Sequence, residues 1–189
     1  MTEAAQGHKA RKRTVTWQDP AIAANSVRTM SGLEFVFAIQ NGTLPQPPIA
    51  RLLGYRIAHV EKGQAVFELV PEEFLYNPIG SVHGGVACTL LDSAMSCAVH
   101  TLLPQGAGYT TIEVKVNFIR PVTGQTRIVR SEAHAVHIGR RLATAEGRLI
   151  DPDGKLFAHG TATFMVLGPG QPDSKEDSGR KKKGTGVAR

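Results

Sequence analysis

Asp92, His83 and the glycine pair Gly84-Gly85 fall within ten residues of one another, in the stretch Asn77-Pro-Ile-Gly-Ser-Val-His-Gly-Gly-Val-Ala-Cys-Thr-Leu-Leu-Asp92. The glycines stand where a polar loop gives way to an apolar run. A helix starting there aims unpaired backbone N–H groups, and the positive end of its dipole, at whatever lies in front. Such an end can bind a phosphate, or hold an oxyanion while a carbonyl is attacked. Asp92, set among Leu90, Leu91, Ala94 and Met95, supplies a carboxylate in apolar surroundings, the setting of a general base or a nucleophile.

Other chemistries fit less well. His83 alone reads as a helix cap or loop residue as readily as a catalyst. No His, Cys and acid cluster of ligand spacing surrounds it, so no metal site is expected. Ser81 lacks the Gly-x-Ser-x-Gly turn of a serine nucleophile. On the helix expected from Gly84 to Leu103, the residues Thr89, Asp92, Ser93, Ser96 and His100 share one side. The helix has no Lys, Arg or Glu, so the stripe reads as a site wall or subunit interface rather than a solvated face.

The elements that must position these residues follow from periodicity. The Gly84–Leu103 helix is apolar almost all round and has to be buried. Before it, Tyr55–Glu61 and Gln64–Val70 flank the turn Lys62-Gly63 as a β-hairpin. After it come four strands: Tyr109–Ile119, Thr126–His137, Arg141–Ile150 and Leu156–Leu167, the last two joined at Asp151-Pro-Asp-Gly154. Short connections make neighbours antiparallel, so the fold class is α+β, one sheet wrapped on one long helix. Residues 14–50 form an N-terminal helical extension, with Ser31 capping a helix to Gln40 and a second short helix over Ile49–Leu53. Residues 51–168 form the main domain.

Charge narrows the function classes. The formal net charge of the 189 residues is +6, yet 14–170 is neutral. The excess lies in 1–13 and in 171–189, Gly-, Ser- and Lys-rich stretches that cannot bury a core and read as disordered basic tails (1–13 and 169–189). Arg180 to Lys183 has no interleaved aromatics, so no nucleic acid partner is expected. No apolar run reaches the roughly 20 residues of a membrane span. Cys88 and Cys97 are nine apart on one helix, too far to bridge within it. A reduced cytoplasmic setting follows as the expectation.

These positions together resemble a known family, the hotdog-fold acyl-CoA thioesterases, and within it the phenylacetate-pathway (PaaI-like) branch. The resemblance covers about residues 50–167. It runs through Asn77, Gly80, His83-Gly84-Gly85, Asp92, Thr111-Ile-Glu-Val-Lys-Val-Asn-Phe-Ile-Arg120-Pro121, Gly139-Arg140-Arg141 and Ala158-His159-Gly160. It implies Asp92 as general base or nucleophile and the Gly84 amide as oxyanion donor. Asn77 would orient the thioester or water, His83 would steady the loop, and Thr111 would hold the water or the carboxylate. Phe118, Arg120, Pro121, Gly139, Arg140 and Arg141 would take the CoA moiety, with His137 and His159 as looser candidates. Leu91, Met95 and Val99, with Phe74 and Tyr76, would face the acyl group. No metal or organic cofactor is implied.

Gly84 and Asp92 are eight residues apart, about 12 Å along one helix, too far to serve one carbonyl. One chain therefore cannot complete the site. A homodimer with antiparallel helices would set each Asp92 opposite the partner's Gly84, and the family is built from such dimers, often as dimers of dimers. Two rivals remain: a hotdog hydratase or dehydratase on hydroxyacyl thioesters, and a non-catalytic acyl-CoA sensor.

Overall fold

A computed structural model of the protein describes residues 10–168. The first helix, α1 (Ala21–Ser26), leads to α2 (Gly32–Gln40) and α3 (Pro48–Leu53). The strands β1 (Arg56–Glu61) and β2 (Gln64–Leu69) precede the long helix α4 (Gly84–His100). The strands β3 (Gly108–Phe118), β4 (Val129–Ile138), β5 (Leu142–Ile150) and β6 (Leu156–Leu167) follow it. All six form one antiparallel sheet in the order β1-β2-β4-β5-β6-β3. This is the α+β hotdog layout expected, with β3 carried across to the far edge by the connection over α4.

Burial explains the wrap. Leu90, Leu91, Ala94, Met95, Ala98 and Val99 of α4 are buried against inward residues of the sheet such as Ala133, Ala145, Leu149 and Phe164. At β5, Gly147 lets the helix approach, because a Cβ there would sit 3.2 Å from both Leu91 Cδ2 and Met95 Cγ. The helix ends three residues earlier than expected, in a turn over Thr101 to Leu103.

The extension is part of the same core, not an appendage beside it. Val36, Ile39 and Ala50 are buried in one cluster with Ile57, Phe67 and Val86. Ser31 forms a full capping box with Glu34 at the start of α2, which fixes where that helix begins. Its first residue meets the turn that follows α4: Gly32 N donates to Leu103 O at 3.1 Å. The Phe35 ring lies 5.2 Å from that of His100, which lies 5.2 Å from that of Tyr109. α3 spans the boundary drawn at residue 50.

The basic stretch 1–13 was expected to be a disordered tail, and for residues 10–13 that expectation is corrected. Arg11 pairs with Glu73 at 2.5 Å, Arg13 lies 3.8 Å over the Phe74 ring, and it donates to Leu52 O. Guanidinium stacking and pairing hold this segment on the body. The rest of both tails, 1–9 and 169–189, lies outside the described residues.

Along β3 the register shifts between Thr111 and Glu113, leaving Ile112 as an extra residue. The bulge keeps Thr111 on the same face as Val114, Val116 and Phe118, since these pair with Phe164, Ala162, Gly160 and Ala158, alternate residues of β6. Strict alternation would have turned Thr111 away from them.

Candidate active site

The two ends of β3 meet two levels of α4. At the first level, Thr111 Oγ1 donates to Asp92 Oδ1 at 3.1 Å. Burial pushes the Asp92 carboxyl above its ordinary range, and the Thr111 hydrogen bond partly opposes that rise. A half-buried carboxylate with a raised affinity for protons is suited to take one from water. At the second level, the Phe118 ring lies against Gly84, where a Cβ would sit 3.2 Å from Cζ.

The helix start is built by His83, whose Nδ1 accepts from Gly85 N at 2.9 Å. Its carbonyl accepts from Val86 N. Gly84 N, first in the helix, has no acceptor among the described residues, so it is the amide of this turn left to bind an anion. His83 thus acts as a helix cap, and its own N–H donates to Leu75 O.

Asn77 is engaged in its own loop. Its Oδ1 accepts from Ile79 N at 3.0 Å and Ser81 N at 3.2 Å, and its Nδ2 donates to Ser81 Oγ at 3.0 Å. The amide closes the 77–81 turn, leaving one Nδ2 hydrogen for any other partner.

The residues expected at CoA separate into two groups. Phe118, Arg120 and Pro121 lie where β6 begins, with Arg120 Nη1 donating to Leu156 O at 2.6 Å. Gly139, Arg140 and Arg141 form the β4–β5 turn, where β6 ends: Val166 N donates to Arg141 O. Ala158, paired with Phe118, and Val166 are eight residues apart on β6, about 27 Å in an extended strand. At Gly139 a Cβ would lie 2.9 Å from Leu142 O and 3.0 Å from His137 Nε2, so glycine is what lets this turn close. His159 lies on the opposite face of the sheet from α4, in a cleft shared with Glu132, His134 and Arg148.

The residues expected around the acyl group need correction. Leu91, Met95 and Val99 are completely buried; they form the helix face turned into the sheet. The Tyr76 hydroxyl accepts from Gly124 N, and Phe74 lies on the outside beneath Arg13. The polar stripe is also split. Ser96 and His100 are buried, and burial lowers the His100 pKa to about 4, so this ring is a neutral packing element. Two residues that sequence patterning did not single out stand beside Asp92: Tyr55, whose Oη lies 3.2 Å from Ser93 Oγ, and Tyr109, whose phenol burial raises well above its ordinary range. Among the described residues, no three His, Cys, Asp or Glu side chains gather as metal ligands, and no helix is long and apolar enough to cross a membrane.

A six-stranded antiparallel sheet closed on one long helix is the hotdog fold. Comparison with known proteins agrees: residues 79–158 match the family model described as the thioesterase superfamily. The chain is 30% identical over 114 residues to a 1,4-dihydroxy-2-naphthoyl-CoA hydrolase of Listeria monocytogenes, covering 60% of this chain and 91% of that one. It is 30% identical to acyl-coenzyme A thioesterase 13 of Homo sapiens, covering 60% of this chain and 81% of the other. Among solved structures, a putative thioesterase of Ralstonia eutropha described as phenylacetic acid degradation-related superposes with a TM-score of 0.62 at 31% identity, covering 69% of this chain and 98% of that one. The chain belongs to the thioesterase superfamily and is a thioester-hydrolysing enzyme, which favours catalysis over the sensor reading.

Proposed function

We propose that the protein is an acyl-CoA thioesterase that hydrolyses an aryl- or medium-chain acyl-CoA to the free acid and CoA, at a site shared by two protomers. Asp92 acts as general base or as nucleophile. As a base it takes a proton from water; the hydroxide adds to the thioester carbonyl, and the oxyanion rests on the Gly84 amide of the facing protomer. Collapse breaks the C–S bond, and the departing CoA thiolate takes the proton back from Asp92 and leaves as the free thiol. Thr111 positions the carboxylate, His83 fixes the helix start, and Asn77 holds the loop and offers one N–H. These groups supply the whole reaction, so no metal or organic cofactor is needed. Reduced CoA and unbridged Cys88 and Cys97 suit the cytoplasm.

The observation that carries this reading is the matched spacing on β3. Asp92 sits by Thr111 and Gly84 sits by Phe118, while β3 forms an open edge of the sheet. An 11-residue edge strand with Ile112 at 51% exposure is a surface that calls for a partner strand. Pairing β3 with its own copy, antiparallel, so that Thr111 faces the partner's Phe118, brings each Asp92 to the partner's Gly84. The same two-fold brings the partner's Phe118, Arg120 and Pro121 to the end of the sheet that holds Gly139, Arg140 and Arg141. The two CoA-binding groups then share one site. A dimer of dimers is the larger assembly this reading allows.

The test is thiol release from acyl-CoA substrates by the native protein and by Asp92→Asn. Turnover should fall by at least about a hundredfold, the scale of a lost acid–base group, while size-exclusion chromatography shows an unchanged oligomer. Retention of most activity by folded Asp92→Asn would sink the mechanism.

A further inference from the structure

Three arginines from three separate elements converge on one cleft, at the seam between residues 10–16, α3 and β1. Arg13, Arg51 and Arg56 line it, around a volume of about 390 Å³. A second cleft of about 520 Å³ continues from the first, sharing Thr16, Gln46 and Arg51 with it, and carries Trp17 on its wall. Among the described residues, no Asp or Glu lines either cleft.

The charge gathered there is not balanced within the chain. Among the described residues, Arg13 and Arg51 donate only to backbone carbonyls: Arg13 to Leu52 O and Arg51 O, and Arg51 Nε to Thr16 O at 3.3 Å. Arg56 pairs with Glu68 at 2.5 Å, but that single buried carboxylate also serves Arg130 at 2.7 Å. Two positive charges there share one negative. Like charges held together raise the energy of the folded chain until an anion joins them. Gly54 is what lets Arg13 close in: its φ is 84°, and a Cβ there would lie 3.3 Å from Arg13 Nη2. By taking the last carbonyls of α3, that guanidinium also covers the end of the helix that an anion would avoid.

The far end of the groove suits a flat ring. Trp17 is 62% exposed, and an exposed indole is a platform on which a nucleobase stacks. Gln18, Gln40 and Gln46 stand on the same wall. Gln40 Nε2 is taken by Ala58 O, which leaves its oxygen to accept, while the other two amides can donate or accept at a base edge.

We propose that the joined clefts bind a nucleotide carrying two or more phosphates, with its base on Trp17 and its phosphates among Arg13, Arg51 and Arg56. Guanidinium forks match phosphate oxygens, and both volumes fall within the range of ligand pockets. Arg51, on the wall of both clefts, stands where sugar and phosphates meet. Two sources share this chemistry: a free nucleoside diphosphate and the nucleotide end of CoA. The site does not depend on how the thioester is cleaved. It adjoins that chemistry through Tyr55, which lines the arginine cleft and whose Oη lies 3.2 Å from Ser93 Oγ, the residue after Asp92.

Trp17 is the single tryptophan of the chain, so its fluorescence reports on this groove directly. The full-length protein is titrated with ADP, CoA, adenosine and pyrophosphate, with isothermal titration calorimetry in parallel. ADP or CoA should quench Trp17 saturably, pyrophosphate should reverse the quenching, and adenosine should bind at least about tenfold more weakly than ADP, the scale of one hydrogen bond to a charged group. Tighter quenching by ADP than by CoA assigns the site to a free nucleotide, and the reverse assigns it to the coenzyme's nucleotide end. Arg51→Gln should weaken the binding about tenfold or more. Arg51→Lys, which keeps the charge without the fork, should fall between. Trp17→Ala should weaken ADP in calorimetry and leave pyrophosphate unchanged. No saturable quenching by ADP or CoA overturns the site, as does native affinity in Arg51→Gln. If Arg51→Gln melts below the native protein, Arg51→Lys and Trp17→Ala decide, and native affinity in both overturns the site.

Discussion

Thr111 Oγ1 lies 3.1 Å from Asp92 Oδ1 and donates to it, so a strand-edge hydroxyl sets the state of the carboxylate on the buried helix. Burial raises the Asp92 pKa above its usual 3.8, and the Thr111 bond pulls it back. A hydrogen bond to the charged form favours that form, so removing it must raise the pKa further. A general base works only when ionised, and the acid limb of kcat/KM reports its pKa. Thr111→Val is therefore expected to move that limb to higher pH and to lower kcat/KM near neutrality by about tenfold, the value of one hydrogen bond to a charged group. Thr111→Ser should restore the native profile. An unmoved acid limb in Thr111→Val would separate the hydroxyl from the carboxylate's chemistry.

Gly32 is where the extension locks onto the central helix. A Cβ at this position would lie 1.7 Å from the His100 carbonyl oxygen and 2.6 Å from its carbon. Both are backbone atoms that no rotamer change can move. Gly32→Ala is expected to push α2 off the end of α4 and break the Phe35–His100 stack, costing about 1–3 kcal/mol as overpacking does. The native protein should resist cleavage in the Asn41–Gln46 connection, and the variant should be cut there first. Equal thermal stability and equal protection in the two proteins would count against the docking role of this glycine.

What could be read from the chain alone depended on whether the signal was local. Strand and helix periods located β1 to β6 and α4 within a few residues, and Ser31 marked the start of α2, because each depends on neighbours in sequence. The pairing of Asp92 with Thr111 came from a family resemblance; spacing on the helix could not give it. Even then the bulge at Ile112 was invisible: Thr111-Ile-Glu-Val-Lys-Val alternates without a break, and only the register against β6 shows that Thr111 faces inward with Phe118. The expectation that Leu91, Met95 and Val99 face a substrate fails for a related reason. Leu91, Met95 and Val99 are as apolar as any pocket lining, but which face of α4 meets the sheet is set by the approach at Gly147. The cleft of Arg13, Arg51 and Arg56 is made where residues 10–16 fold back on α3 and β1, a tertiary event with no sequence period.

The bulge also fixes where a two-fold axis would cross β3. With Thr111 opposite the partner's Phe118, the next inward pair is Val114 with the partner's Val116. The outward residue midway between these pairs is Lys115, which then faces its own copy. Lys115 is exposed in the single chain. Directly opposed residues on antiparallel strands have Cβ atoms about 4.5–5.5 Å apart, close to the reach of a disulfide with slight adjustment. Lys115→Cys is expected to give a covalent dimer under mild oxidation, read by non-reducing electrophoresis, while the native chain with Cys88 and Cys97 does not. Thr110→Cys, off the axis, should cross-link poorly. The change also removes two like charges held face to face, a destabilising arrangement, so the reduced variant should dimerise at least as well as the native protein. Efficient cross-linking at Thr110→Cys with none at Lys115→Cys would place the axis elsewhere and separate Asp92 from the partner's Gly84.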